Sequence, residues 1–282
     1  MPILKIAAFS DGDTGGNPAG VMLTDVLPSD TDMQRSAAEI GFSETAFAAP
    51  ITTGWRVRYF SPENEVPFCG HATIALGAAL TLQHGDRVFA LTLNHANITV
   101  EGQRQGGLVS AALQSPPTRS APAPESLVTA ALTLFGYRPE DLDTRLPPAL
   151  IHAGAEHLLL ALNSRAALAA MHYDLAIGRQ LMQDNGWVTI LLVYAESPQR
   201  FHTRNPFASG GVYEDPATGA ATAALAGYLR DMAWPHGGVI DVVQGEDMGM
   251  RSCLRAEITP EPGCSIRVSG SARVMHDEGS AE

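Results

Sequence analysis

A chain of 282 residues, 45% of them hydrophobic, has ample material for a buried core and, at about 150 residues per domain, predicts one large domain or two modest ones. A formal net charge of −12 excludes the basic face that nucleic acid or an anionic membrane demands, so neither is expected as a partner. Cys69, Cys253 and Cys264 show no metal-ligand spacing and predict neither a disulfide framework nor a zinc site, while the lack of a signal-peptide pattern or a membrane-length apolar run leads to the expectation of a reducing, cytoplasmic compartment.

In chain order, "ILKIAAFS" predicts a first strand and "NPAGVMLT", after a turn rich in glycine (Gly12, Gly15, Gly16), its partner. Ser29 or Asp30 caps a helix whose apolar positions Met33, Ala37 and Ile40 share one face, and Gly41 stops it. "ETAFAAP" and "GWRVRYFSP" read as strands. A helix follows from the Cys69-Gly70-His71 corner to His84-Gly85, and it is apolar all round. "RVFALTLNHANITVEGQ" and "GLVSAALQ" resume strand alternation. "QSPPTRSAPAPES", residues 114–126, is the richest Pro/Ser stretch and reads as a linker. Beyond it lie a helix ("SLVTAALTLFG"), strands ("AEHLLLALNS" and "WVTILLVYAES"), a long polar loop ("FHTRNPFASGGVYEDPATG"), a second apolar helix and three closing strands.

A helix apolar on every face must be surrounded by protein. Many short strands and one such helix per half therefore predict an α/β (α+β) fold in which each half is a β-barrel-like sheet wrapped around its helix. An internal repeat supports two halves. With Gly70 set on Gly219, Ala72 meets Ala221, Thr73 meets Thr222, Ala75 meets Ala224, Leu76 meets Leu225 and Leu80 meets Leu229. Related by a pseudo-twofold, the halves would bring two helix N-termini to one cleft. Free backbone N–H groups and the positive end of the helix dipole favour an anion there, and glycine in the first turn allows close approach. The plainer alternative makes Gly70 and Gly219 ordinary turn glycines.

"GNPAGV" (16–21), "GFSETAF" (41–47), "FSPENEVPFCGHAT" (60–73), "YEDPATGAA" (213–221) and "VSGSARV" (268–274) occur in one order. In this the chain resembles the PhzF-like phenazine-biosynthesis isomerases, a family related in fold to diaminopimelate epimerase and more distantly to proline racemase. The resemblance spans the chain. It implies a first epimerase-like half over 1–115 and a second over 124–265, with a strand at about 266–276 returning to the first. It also implies a cofactor-independent isomerase, usually a homodimer, acting in the cleft between the halves on a small carboxylate-bearing substrate.

Carried over residue by residue, the resemblance makes Glu44 the general acid/base and gives His71 and Asp215 a part in binding or protonating the substrate. Ser43, Gly70, Gly219 and Ala220 line the site. The family often has serine after the second helix glycine. Ala220 lacks that hydroxyl, which sets the family's best-known substrate, trans-2,3-dihydro-3-hydroxyanthranilate, in question.

Each residue also has a structural alternative. Glu44 can be a surface acid at a strand end, although a carboxylate beside Phe42 and Phe47 suits proton transfer near neutrality. His71 can be a helix-mouth histidine satisfied by backbone carbonyls. Asp215 can simply N-cap the second helix, and Glu214 can tune its charge. Cys69 invites comparison with racemases that use a thiol on each face of the substrate carbon. The equivalent second stretch, residues 214–219, has no cysteine, so Cys69 reads as a small packed residue. The histidines, among them His84, His95, His152 and His157, show no ligand spacing, so neither a metal nor any other cofactor is expected. Three functions remain open: a single-base isomerase, an epimerase or racemase of a small amino or hydroxy acid, and a binding protein without chemistry.

Overall fold

The computed structural model describes residues 3–275. Positions 1–2 of the expected first half and position 276 of the expected closing strand lie outside them. The chain folds as two compact units, residues 3–114 with 269–275, and residues 115–268.

The first unit carries β1 (Leu4–Ser10), β2 (Asn17–Leu23), α1 (Asp30–Ile40), β3 (Thr45–Ile51), β4 (Gly54–Phe60), β5 (Glu65–Val66), α2 (Gly70–His84), β6 (Arg87–Thr92), β7 (Asn97–Gln105) and β8 (Leu108–Gln114). The second carries β9 (Arg119–Pro122), α3 (Glu125–Phe135), β10 (Ala149–His152), β11 (Glu156–Leu162), α4 (Arg165–Ala169), α5 (Leu175–Asn185), β12 (Thr189–Ala195), β13 (Arg200–Phe207), β14 (Val212–Asp215), α6 (Gly219–Asp231), β15 (Val239–Gln244) and β16 (Ser252–Glu257). The last strand, β17 (Arg267–Val274), gives residues 269–274 to the first unit.

In the first unit β1 runs antiparallel to β2, β2 parallel to β3, β3 antiparallel to β4, and β4 parallel to β6. The strands β6, β7 and β8 follow as antiparallel neighbours. β8 then pairs with β17, and β17 pairs antiparallel with β1. The sheet thus closes on itself and leaves no open edge within this ring. α2 fills it, packing on β1, β2, β3, β6, β7 and β8, with every residue from His71 to Thr81 buried. The approach is too close for side chains at two points. A Cβ on Gly77 would sit 2.6 Å from Val100, and one on Gly102 would sit 1.8 Å from the Thr81 hydroxyl.

The second unit repeats the plan. β9, β10 and β11 are antiparallel neighbours; β11 runs parallel to β12, β12 antiparallel to β13, β13 parallel to β15, and β15 antiparallel to β16. The senses along β2-β3-β4-β6-β7 recur along β11-β12-β13-β15-β16. The short β5 pairs with β4 as β14 pairs with β13. α6 packs on β9, β10, β11 and β16. The sequence register of Gly70 on Gly219 aligns the first residues of the two central helices.

The outer faces are covered too. Met33 and Ala37 of α1 pack on Phe47 and Phe60 of β3 and β4, whose rings meet edge to face at 5.7 Å. Phe135 of α3 and Met182 of α5 pack on Leu158, Leu160 and Leu162 of β11 and Ile190 and Leu192 of β12. Fully burying such a side chain is worth about 1.5–3 kcal/mol. Covered on both faces, β11 and β12 read as continuous apolar runs rather than as alternation. No helix among the described residues is long and apolar enough to cross a membrane.

Three sequence expectations are corrected. The stretch 114–126 is not all linker: Arg119–Pro122 forms β9, which pairs with β10 and leaves its prolines at or beyond the strand end. The polar loop is an antiparallel pair, β13 and β14. Its polar residues Thr203, Arg204, Asn205 and Glu214 are buried, and Arg204 and Glu214 satisfy one another. The second unit also holds α5, which starts at an Asp174 cap and stops at Gly186 in the left-handed region. Its glycine, Gly178, lies where a Cβ would meet the Tyr173 ring at 2.6 Å.

Candidate active site

Ser43 and Glu44 precede β3, whose position is set by a close strand approach. A Cβ on Gly20 of β2 would lie 2.7 Å from the Thr45 hydroxyl, and the Gly20 N–H donates to the Glu44 carbonyl at 3.2 Å. His71 stands in the first turn of α2 and Cys69 is that helix's N-cap residue. These two pieces of chain meet. Glu44 Oε2 lies 3.4 Å from His71 Nε2, Ser43 Oγ lies 3.4 Å from the same nitrogen, and Cys69 Sγ lies 3.4 Å from His71 Nδ1. The Glu44 side chain is 15% exposed and that of His71 7%. The group is shielded yet reachable.

The mouth of α2 is held from below. The Thr73 hydroxyl donates to the Cys69 carbonyl at 2.7 Å, so its oxygen receives the Tyr59 hydroxyl, also at 2.7 Å. Burial pushes the Tyr59 phenol well above its ordinary value, which keeps it a donor. Above the mouth the surroundings are open. The Cys69 side chain does not cap the helix, and apart from Cys69, His71 and the backbone of the helix itself no described atom lies within 4 Å of where a Gly70 Cβ would stand. Packing does not demand glycine at position 70, and its absent side chain leaves the first-turn N–H groups approachable.

The second unit has its own mouth. Asp215 ends β14 and Gly219 and Ala220 open α6. The N-cap is Thr218, without a side-chain cap bond, so Asp215 is not the capping residue that its place before Pro216 allows. It accepts a hydrogen bond from the Thr218 hydroxyl instead. Gln244 of β15 ties the corner together: Nε2 donates to the Asp215 carbonyl at 2.7 Å and to Thr218 Oγ1 at 2.9 Å, and Oε1 accepts from the Thr218 N–H at 3.1 Å. Glu214 is buried in an ion pair with Arg204, which also donates to the carbonyls of Ala169 and Met171. It anchors β14 rather than tuning charge.

Sequence reading thus finds Glu44, Ser43, Gly70 and His71, which the fold brings together, and Asp215, Gly219 and Ala220, which gather at the second mouth. It misses the supporting residues Tyr59, Thr73 and Gln244. Thr73 alone carried a signal, its match to Thr222 in the repeat. It also misses that His71 stands between two partners, Cys69 Sγ at Nδ1 and Glu44 Oε2 at Nε2.

Known proteins share this plan. Residues 6–278 match the family described as "Phenazine biosynthesis-like protein". The trans-2,3-dihydro-3-hydroxyanthranilate isomerase of Pseudomonas chlororaphis is 32% identical over 273 residues, 94% of each chain. An uncharacterized isomerase of Deinococcus radiodurans is 32% identical over 80% of this chain and 75% of its own. A Bacillus anthracis phenazine biosynthesis protein of the PhzF family superposes with a TM-score of 0.85 over 97% of this chain and 96% of that one, at 20% identity. A hydroxyproline epimerase of Agrobacterium vitis, 10% identical, reaches a TM-score of 0.63 over 97% of this chain and 88% of its own and shares the fold alone. With ordered motifs, a sheet packed around each apolar helix, the two helices beginning where the glycine register was expected, and a family match over residues 6–278, the chain belongs to the phenazine biosynthesis-like family.

Proposed function

We propose that this isomerase moves a proton on a small carboxylate-bearing substrate without a cofactor, with Glu44 as the group that takes and returns it. The observation that carries the proposal is the placement of Glu44 Oε2 3.4 Å from His71 Nε2 at an uncapped helix mouth. Proton transfer between carbons needs an acid/base that stays in reach of both, and a carboxylate offers a second oxygen for the return step. His71, close enough to donate to the Glu44 carboxylate or to the substrate, holds and orients. The first-turn N–H groups of α2 receive the negative charge that develops when a C–H beside a carboxylate or carbonyl is ionised. The roles of Asp215, Gly219 and Ala220 in substrate binding rest on the family resemblance alone, as does assembly as a homodimer.

The named relatives support double-bond isomerisation as the reaction type. Ala220 in place of the family's frequent serine supports a substrate with fewer hydrogen-bonding demands at that point. The test is incubation with a panel of small cyclic and acyclic carboxylates in deuterated water, read by mass spectrometry and NMR. Deuterium gain with a moved double bond is the expected result. Deuterium gain with inversion and no moved bond would point to an epimerase, and no exchange on the whole panel would reject proton transfer at this site.

A further inference from the structure

Away from the mouth of α2, the first unit holds a cavity of about 540 Å³ between that helix and the strands β1, β8 and β17. Neither Glu44 nor His71 lines it. Its walls are apolar: Ala78 and Leu82 from α2, Ile6 from β1, Val109 from β8, and Ala272 and Val274 from β17. The size falls in the range of about 300–1,000 Å³ usual for small-molecule sites. Two residues of opposite charge, Asp13 and Arg273, line it as well. Arg273 is half-buried and donates from Nε and Nη2 to the Gly15 carbonyl, at 3.3 and 3.2 Å. Its head therefore lies beside the turn that carries Asp13. That turn is closed by its own backbone, with the Asp11 N–H on the Thr14 carbonyl at 3.0 Å and the Thr14 N–H on the Asp11 carbonyl at 3.2 Å. Yet among the described residues Asp13 and Arg273 form no ion pair, with each other or with any third group.

We propose that this cavity binds a large apolar α-amino acid as its zwitterion, with the carboxylate on Arg273, the ammonium on Asp13 and the side chain against Leu82 and Val109. The two charges select the class. A plain carboxylic acid would pair with Arg273 but bring a second negative charge up to Asp13, and a plain amine would do the converse. An uncharged apolar molecule would strip water from both charges and pair with neither. A zwitterion meets both at once, and its apolar side chain covers the remaining walls. The arginine is also set in place beforehand. The Gly15 carbonyl holds its Nε and Nη2 edge, and Nη1 is left to give a charge-assisted hydrogen bond to the ligand carboxylate. The site is separate from the chemistry at Glu44 and does not depend on it.

The test is titration of the full-length protein with L-leucine, L-phenylalanine and L-tryptophan, followed by calorimetry and by the methyl signals of Leu82, Val109 and Val274 in NMR spectra. At least one of the three should bind saturably and shift those methyls, and Glu44→Gln should bind it equally well. Two analogues read the charges without any change to the protein. The N-acetyl form removes the ammonium and the amide form removes the carboxylate. Each should bind at least about tenfold more weakly, the worth of a hydrogen bond to a charged group. Arg273→Gln and Asp13→Asn should weaken the parent amino acid by a similar factor. Leu82 is 41% exposed, so Leu82→Trp can fill the cavity from its open side, and it should abolish binding. No saturation by about 10 mM with any of the three amino acids overturns the site. So do shifts confined to the surroundings of Glu44 and His71, which would place the ligand at the mouth of α2, and undiminished binding to Leu82→Trp. An analogue that binds as tightly as its parent overturns the zwitterion.

Discussion

The Glu44 carboxylate lies 3.4 Å from the His71 ring nitrogen, and the pair comes from the residue before β3 and the first turn of α2. No short sequence motif contains both. They meet because α2 runs inside the closed sheet whose strands include β3, so the helix mouth and the strand start share one end of the barrel. Glu44→Gln keeps the size and removes the titrating group. Turnover should fall by about 10²–10⁴-fold, with a much smaller change in KM. Turnover within tenfold of the parent enzyme would remove Glu44 from the mechanism and move suspicion to His71.

Cys69 separates two mechanisms. If it were one of a pair of bases, Cys69→Ser would cost some three orders of magnitude in turnover. With no cysteine at the equivalent second mouth, we expect a loss of less than about tenfold in steady-state turnover. Serine is also a better N-cap than cysteine, and the existing residue makes no capping bond. Thermal unfolding should show the variant equal to or more stable than the parent, by up to about 1 kcal/mol.

The buried pair of Arg204 and Glu214 makes a stability prediction. The guanidinium donates from Nε and Nη2 to both carboxylate oxygens, and Nη1 donates to two backbone carbonyls. Glu214→Gln would leave the arginine charge buried without its counter-charge. Breaking such a pair costs roughly 3–5 kcal/mol, and urea unfolding should read that loss. A cost below about 1 kcal/mol would mean that water reaches Arg204 in the variant.

How far the sequence carries depends on the range of the interactions. The caps of α1 lie within a few residues of it, and Ser29 and Gly41 act as read. The central helices are apolar throughout, and both begin where the glycine register sets them. The strand pair β13–β14 escaped because its buried polar residues look like a solvated loop until their partners are known: Arg204 needs Glu214, Ala169 and Met171. α5 carried its cap and stop in plain view, but Gly178 weakened its helical pattern, and the ring of Tyr173 that requires that glycine is visible only in the fold. Of the site, Glu44 and His71 were legible as types in motifs. The approach of Glu44 to the Cys69-His71 corner was not, since those two stretches meet only in the fold.

The last prediction concerns His157, wholly buried in β11. Its Nδ1 lies 2.8 Å from Thr189 Oγ1, and that hydroxyl gives its one proton to Asn205 Oδ1 at 3.0 Å. Nδ1 must therefore be the protonated nitrogen, and the second nitrogen, Nε2, has no hydrogen-bond partner among the described residues. Charging the ring would place a cation there without an acceptor. Burial, helped by nearby His152, accordingly lowers the histidine from 6.5 to about 3. The folded form thus binds fewer protons than the unfolded chain whenever the pH lies between those values. Stability is complete above about pH 7 and falls as pH drops through 6.5, by up to about 1.4 kcal/mol for each pH unit. Between pH 7.5 and pH 5 the loss from this one residue should reach about 2 kcal/mol. Most carboxylates stay ionised over that window, but His152 and His236, also lowered by burial, add to the slope. The measurement is therefore a difference: urea unfolding of the parent and of His157→Gln at both pH values. Glutamine can donate to Thr189 and does not titrate, so the variant should lose about 2 kcal/mol less than the parent on acidification, whatever its starting stability. Equal losses in the two proteins would show that His157 takes up its proton in the folded state.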